Sequence, residues 1–353
     1  MGRLIDFLKI KRVLVAKLRH HGDVLLSSPV FSVLKGRFPH LEIDAYLYQE
    51  TLPMLEGHPA ISDFLLCDTR WKALPFFKRS LKEVALLKQM RKGRYDLVIN
   101  LTEGDRGAIA AKVSRARYAV GFDPEGKGMK GKKGCYTHVI KHTPKPRHTV
   151  EKQLDALRCL GLFPLPEERK LFFDVPKSAI EKITHILPKE YILLHPVSRG
   201  MFKTLPVETV VRLIHYLEKR GKTVVLTGSS EPIELEMNQR IHSQVPKSLD
   251  LSGKLSLKEL GAAVQQSALV ITVDSLPLHL ASALQKPVVA IFGPSCEQNW
   301  GPYNNPKGEV VSPFVTCRPC YQQGCGGSGR SDCLETLSYV KIIEALDRAL
   351  EGI

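Results

Sequence analysis

Short apolar runs alternate with helix-length amphipathic segments along this 353-residue chain, and that alternation limits its fold more than any other feature. RVLVAKL (12–18) reads as a first strand and VLLSSPVFSVLKGRF (24–38) as the helix after it. IDAYLY (43–48) is the next strand, and a Lys-rich helix, SLKEVALLKQMRKG (80–93), leads into DLVINL (96–101). Strands alternating with helices at this spacing predict a parallel sheet of doubly wound type. The pattern pauses at a Gly- and Lys-rich loop, GFDPEGKGMKGKKG (121–134), and at the proline-containing stretch LGLFPLPEERKLFFDVPKSA (160–179). It restarts with YILLHPV (191–197), a helix at 206–220, TVVLTG (223–228), a helix around 231–243, LVITV (269–273), a helix at 277–285 and PVVAIFGP (287–294). The expectation is an α/β chain of two doubly wound halves, 1–165 and 180–334, facing a cleft, with a last helical segment at 335–353. Ligands of such sheets sit beyond the carboxyl ends of the strands, where helix N-termini point at them.

Charge divides unevenly between the halves. Residues 1–150 carry 28 Lys and Arg against 14 Asp and Glu, whereas 151–353 carry 23 against 22. A bias of that size over one domain suggests an anionic partner: a nucleic acid, an acidic membrane surface or a phosphorylated substrate. No 18-residue apolar run suggests a membrane span. The start, MGRLIDFLKIKRVLVAK, lacks a long apolar region and a small-residue cleavage site, so the expected location is the cytosol.

Several strand ends carry chemistry. The first runs into KLRHHGDVLLSSP, with Gly22 alone where a dinucleotide fingerprint needs three glycines, which argues against nicotinamide chemistry. Asp23 stands there at a helix start, either as a first-turn acid or as a general base, with Arg19, His20 and His21 favouring its ionised form. In the second half, HPVSRGMFKTLP (195–206) offers Ser198, Arg199 and Lys203, a set able to neutralise a diphosphate. LTGSSEP (226–232) offers Gly228, two serines and Glu231 ahead of a helix, suited to phosphate or a ribose diol. LVITVDSLPLH ends a strand in Asp274 and Ser275, with Pro277 preset for a first helical turn and His279 on the helix, as ligand or as core residue.

Taken together, G-D-V-L (22–25), H-P-V-S-R…K-T-L-P and D-S-x-P-x-H-L-A-S-A-L…F-G-P resemble the ADP-heptose:lipopolysaccharide heptosyltransferases of glycosyltransferase family 9. SRGMFKTLP, LYQETLP (47–53) and NLTEGDRGA (100–108) look closest to the heptosyltransferase III branch. The resemblance spans essentially the whole chain. It implies a GT-B fold of two Rossmann-like domains, acceptor on the first and nucleotide sugar on the second, with the last helix at 335–353 expected to pack back on the first, and an inverting reaction that needs no cofactor or catalytic metal. It makes Asp23 the general base and Lys203 the group that stabilises departing ADP. Ser198, Ser275 and the backbone N–H groups of Leu276 and Leu278 would hold the phosphates, Asp274 would sit near the heptose hydroxyls, and Leu255 would meet adenine. Glu231, with Glu234 as its rival, would meet the ribose. Leu276 and Leu278 stand where the family has small residues, so their bulk is expected to press on the phosphates; Leu205 replaces a common Trp. The implied partners are ADP-heptose and the phosphorylated lipid A-core acceptor at the inner face of the inner membrane. Arg19, Arg70, Lys72, Arg106, Arg115, Arg117 and the lysines at 127–133 are candidates for its anionic groups. MGRLIDFLKIKR and WKALPFFKR (71–79) pair apolar residues with bases and are candidates to touch the bilayer.

Cys317, Cys320, Cys325 and Cys333 fall in one segment, TCRPCYQQGCGGSGRSDCLETL. In a reducing compartment that spacing argues against disulfides, leaving a structural zinc or reduced thiols, in either case pinning the loop. A transferase using another nucleotide sugar is the alternative reading. A nucleic-acid-binding protein is disfavoured: the 121–134 loop offers only Phe122 for stacking, and Asp23 would have no task.

Overall fold

The computed structural model describes residues 5–351; the first four residues of the MGRLIDFLKIKR stretch lie outside them. The chain divides into two compact units, one ending at Asp174 and the other beginning at Val175, inside the proline-containing stretch. In the first unit the strands are β1 (Arg12–Ala16), β2 (Glu42–Tyr48), β3 (Asp63–Cys67), β4 (Leu97–Asn100), β5 (Tyr118–Phe122) and β6 (His138–Ile140). Its helices are α1 (His21–Leu25), α2 (Ser28–Arg37), α3 (Phe76–Lys92), α4 (Asp105–Ser114) and α5 (Thr149–Cys159). The second unit has β7 (Ile192–His195), β8 (Val224–Leu226), β9 (Leu249–Asp250), β10 (Leu269–Val273), β11 (Val288–Ile291) and β12 (Gly308–Val311). Its helices are α6 (Lys177–Thr184), α7 (Val207–Lys219), α8 (Pro232–His242), α9 (Leu257–Gln266), α10 (Leu276–Ala283), α11 (Glu297–Trp300), α12 (Asp332–Glu335) and α13 (Tyr339–Glu351).

Both sheets are wholly parallel, in the orders β3-β2-β1-β4-β5-β6 and β12-β11-β10-β7-β8-β9. The central strands are apolar without alternation because helices cover both faces; every residue of β10 is buried. Each sheet reverses its strand order once, between β1 and β4 in the first and between β7 and β10 in the second. Chains leaving adjacent strands there turn opposite ways and leave a crevice at the carboxyl ends.

Some elements depart from expectation. The single helix at 24–38 is two, α1 and α2, parted at Leu26–Ser27; Pro29 fits only a first turn, so a new helix starts there. α3 begins at Phe76, four residues before the expected start at Ser80. The final helix, α13, lies on β11 and β12 of its own unit: Ile342, Ala345 and Leu346 join the core of Val289, Ile291 and Val311. Tyr216 donates to Asp347 at 2.6 Å.

Two of the buried histidines, His58 in the first unit and His195 in the second, couple the fold to pH. His58 packs on Phe172 with ring centroids 4.6 Å apart, and its Nδ1 accepts from Ala60 N–H. His195 ends β7 with Nδ1 3.0 Å from Thr227 Oγ1. Burial pushes both imidazoles from the ordinary 6.5 down to about 4. The unfolded chain therefore takes up protons that the folded chain refuses. Stability holds above pH ~6.5 and falls as pH drops toward ~4, by about 1.4 kcal/mol per pH unit for each histidine. Guanidinium unfolding across that window is expected to show this decline, and His58→Gln or His195→Gln is expected to flatten it by one proton's slope.

Candidate functional site

In the first unit the crevice is bridged by a lysine. Lys17 follows β1, is buried, and donates from Nζ to the carbonyl of Leu101, just past β4, at 3.0 Å. Leu18 N–H donates to Thr102 Oγ1 at 2.7 Å, closing the same seam. Burial lowers the Lys17 pKa, and the nearby negative charge of Asp23 opposes that shift. Asp23 occupies the first turn of α1, half-buried, with Gln153 Nε2 donating to its backbone carbonyl at 3.4 Å. Arg19 and His20 beside it are exposed, and His21 contacts the Glu50 carbonyl through Nε2. Lys17 was not singled out from sequence. Its signal was a basic residue closing the apolar run VLVA (13–16).

The second unit repeats the device with an ion pair. Lys203 ends a short 3-10 turn after β7, and its Nζ donates to the Asp274 carbonyl at 3.0 Å and to Oδ2 at 3.2 Å. Asp274 follows β10 and is buried. Ser275, extended at φ −150°, then starts α10, with Thr272 Oγ1 3.0 Å from its hydroxyl. Ser198 is buried in the loop after β7, where its N–H donates to Thr204 Oγ1. His279 is buried on α10 with its ring centroid 6.3 Å from that of Trp300.

Two expectations at this turn change. The Leu278 N–H already donates to the Ser275 carbonyl at 3.2 Å, so it is engaged within the turn instead of offering itself to a phosphate. The Leu278 side chain is wholly buried, so its bulk is directed into the core; Leu276 remains partly exposed at the helix start.

The neighbouring strand end sorts two acids. Glu234 is buried and accepts from Ser229 N–H at 2.8 Å, which fixes the loop, whereas Glu231 at the start of α8 is exposed. Gly228 is required by packing: a Cβ there would lie 2.7 Å from Asn238 Nδ2. Asn238 in turn donates to Thr227 O and Ser252 Oγ, and Ser252 to Asp250. Leu255, partly exposed, follows that network.

The cysteine segment is fastened by hydrogen bonds to its neighbours. Among the described residues no three His, Cys, Asp or Glu side chains are grouped to hold an ion. All four are free, with Cys317 and Cys325 exposed, Cys320 half-buried and Cys333 buried. Arg318 does the fastening: buried, it donates to the carbonyls of Gly293, Pro313 and Ser295 and to Glu297. Cys320 and Tyr321 N–H groups both donate to Pro294 O. Ser331 Oγ donates to Phe202 O at 2.7 Å, bracing the residue before Lys203.

Of the proposed acceptor arginines, Arg106 forks onto Glu83 at 2.9 and 2.5 Å, and Arg70, exposed, forks onto Asp68.

Two doubly wound units, each with charged groups at its strand reversal, define an α/β protein of the GT-B class. The chain belongs to glycosyltransferase family 9 (heptosyltransferase), whose family model matches residues 84–328, and it is therefore a glycosyltransferase. It is 31% identical over 293 residues to lipopolysaccharide heptosyltransferase 3 of Escherichia coli (strain K12), covering 81% of this chain and 83% of that protein. Its fold matches a family 9 glycosyl transferase from Veillonella parvula over 100% of both chains (TM-score 0.82, 24% identity). It also matches the E. coli heptosyltransferase WaaC solved with ADP (TM-score 0.75, 20% identity, 96% of this chain and 99% of that one).

The ion pair has a measurable consequence. Lys203→Met leaves the buried Asp274 carboxylate uncompensated and is expected to cost about 2 kcal/mol of stability. The double variant Lys203→Met, Asp274→Asn is expected to recover most of that loss in guanidinium unfolding, because the orphaned charge is gone.

Proposed function

We propose that this protein transfers L-glycero-D-manno-heptose from ADP-heptose to the inner core of lipopolysaccharide, as a heptosyltransferase III-like inverting enzyme. One observation carries the reading: the Lys203–Asp274 pair at the strand reversal of the second unit, beside the start of α10. Lipopolysaccharide heptosyltransferase 3, at 31% identity, supplies the sugar and the acceptor class.

In the proposed reaction the donor diphosphate settles beside Ser198, Ser275 and the Leu276 N–H, and Lys203 exchanges Asp274 for phosphate. Asp274 is thereby released to accept from a heptose hydroxyl. The exposed Glu231 takes the ribose diol, Leu255 flanks adenine, and Gly228 lets the chain pack closely beneath them. The acceptor hydroxyl oxygen attacks the anomeric carbon from the face opposite the diphosphate. The carbon–oxygen bond to ADP breaks, ADP leaves with the electron pair, and the acceptor proton passes to Asp23. A fixed ammonium and N–H dipole beside the departing oxygen are worth several kcal/mol in such a step. A positioned base contributes about 10²–10⁴-fold. The acceptor is lipid-anchored, so the enzyme works peripherally at the inner face of the inner membrane, and the basic excess of residues 1–150 suits that surface.

Asp23→Asn is expected to bind ADP normally while losing transfer by about 10²-fold or more. Lys203→Ala is expected to weaken ADP binding at least about tenfold. Calorimetry and mass analysis of core oligosaccharide after incubation with ADP-heptose read the two effects. Retained turnover in Asp23→Asn, or equal affinity for UDP and ADP, refutes the assignment.

A further inference from the structure

Helix α3 carries apolar residues on the wrong side. Leu86 and Met90 face the core and are buried, and Glu83 on the same side is held by Arg106. On the outer side Phe77, Leu81 and Val84 are 72%, 56% and 46% exposed. Their spacing, i, i+4 and i+7, places them in one stripe along the helix. Phe76, the first residue of the helix, is 86% exposed. Scattered exposed leucines need no explanation, but a contiguous stripe with aromatics marks a contact surface.

The bases choose the partner. α3 contains Lys78, Arg79, Lys82, Lys88, Arg91 and Lys92 against one acid, Glu83, whose charge Arg106 already neutralises. Lys82 Nζ lies 5.6 Å from the ring of Trp71, itself partly exposed just before the helix. A second copy docked by two-fold symmetry would set this basic stripe against itself. Apolar side chains bordered by lysines, whose stems lie along apolar surface while their heads stay in water, fit an anionic bilayer surface. No described helix is long and apolar enough to cross a membrane, so the contact is with the surface.

We propose that the outer face of α3 (Phe76, Phe77, Leu81, Val84 and the lysines beside them) seats the protein on anionic lipid. The surface itself carries this inference; its purpose rests on the lipid-borne acceptor of the proposed function.

The full-length protein is sedimented with vesicles of phosphatidylethanolamine and phosphatidylglycerol, and with vesicles of phosphatidylcholine alone. Partitioning to the anionic vesicles, reduced by salt, is expected. Phe77→Glu with Leu81→Glu is expected to cut it about tenfold or more. That variant is expected to keep ADP affinity and transfer to a lipid-free acceptor, and to lose transfer to acceptor embedded in vesicles. Phe77→Trp provides a readout that needs no loss of function: its emission is expected to shift to the blue with anionic vesicles. Wild-type partitioning by the double-glutamate variant, an unmoved Phe77→Trp spectrum, or an effect confined to oligomeric state overturns the proposal. Vesicle binding through this face by a protein that transfers no heptose to either acceptor supports the docking surface and refutes the proposed function.

Discussion

Wholly parallel sheets whose strand order reverses once put the chemistry of this protein where it is. At a reversal, adjacent strands send their connections in opposite directions, so the carboxyl ends are left without a covering loop. Backbone carbonyls and loop dipoles exposed there need a cationic partner. Each unit supplies a lysine reaching across the gap, Lys17 to the Leu101 carbonyl and Lys203 to the carbonyl and carboxylate of Asp274. The two differ in burial. Lys17 is sealed in, whereas the Lys203 side chain keeps 24% of its surface. A sealed lysine holds a seam and biases the charge around Asp23; a half-open one can be given a different anion.

The cysteine-bearing segment supports the surroundings of Lys203. The cysteine-bearing loop holds Gly293 and Pro294 through Arg318 and the N–H groups of Cys320 and Tyr321, and it braces Phe202 through Ser331. Arg318 has five donors in a planar fork, enough to satisfy several carbonyls that turn away from strand pairing after β11. Backbone groups left over when a strand ends must find partners somewhere. Here one buried guanidinium serves for most of them.

How far the sequence could be read follows from this division. β1, β2, β4, β7, β8, β10 and β11 were legible because central parallel strands are apolar on both faces. β3, β5, β6, β9 and β12 were not named; β3, β6, β9 and β12 lie at or near sheet edges with mixed burial, and β9 is two residues long. Asp274, Lys203 and Asp23 stood out in the sequence because charged residues in the segments after apolar strands break the pattern, and the structure pairs the first two. Which backbone donors remain free was not legible, since Leu278 N–H is engaged by a turn whose geometry no residue type announces. Likewise Glu231 and Glu234 are alike in sequence, and only burial separates the exposed acid from the one that caps Ser229. The role of Arg318 in fastening the cysteine-bearing loop was not legible either, because spacing along the chain does not announce what else holds a loop.

The Lys203–Asp274 pair also bears on why a transferase of this kind should hold its key lysine against a carboxylate before any donor arrives. An ammonium left alone in a half-buried turn would be mobile, and binding would then carry the cost of ordering it. Pairing it with Asp274 fixes the ammonium within reach of the α10 start. In the proposed reaction the diphosphate displaces that carboxylate, so part of the binding free energy is offset by the broken pair. Two negative phosphates outcompete one carboxylate for the same ammonium, and the displaced carboxylate gains a sugar hydroxyl as a new donor. A donor lacking a sugar recovers only the first half of that exchange. On the proposed roles, the pair would favour the intact nucleotide sugar over the nucleotide alone, which is the discrimination a transferase needs to take up donor and release product.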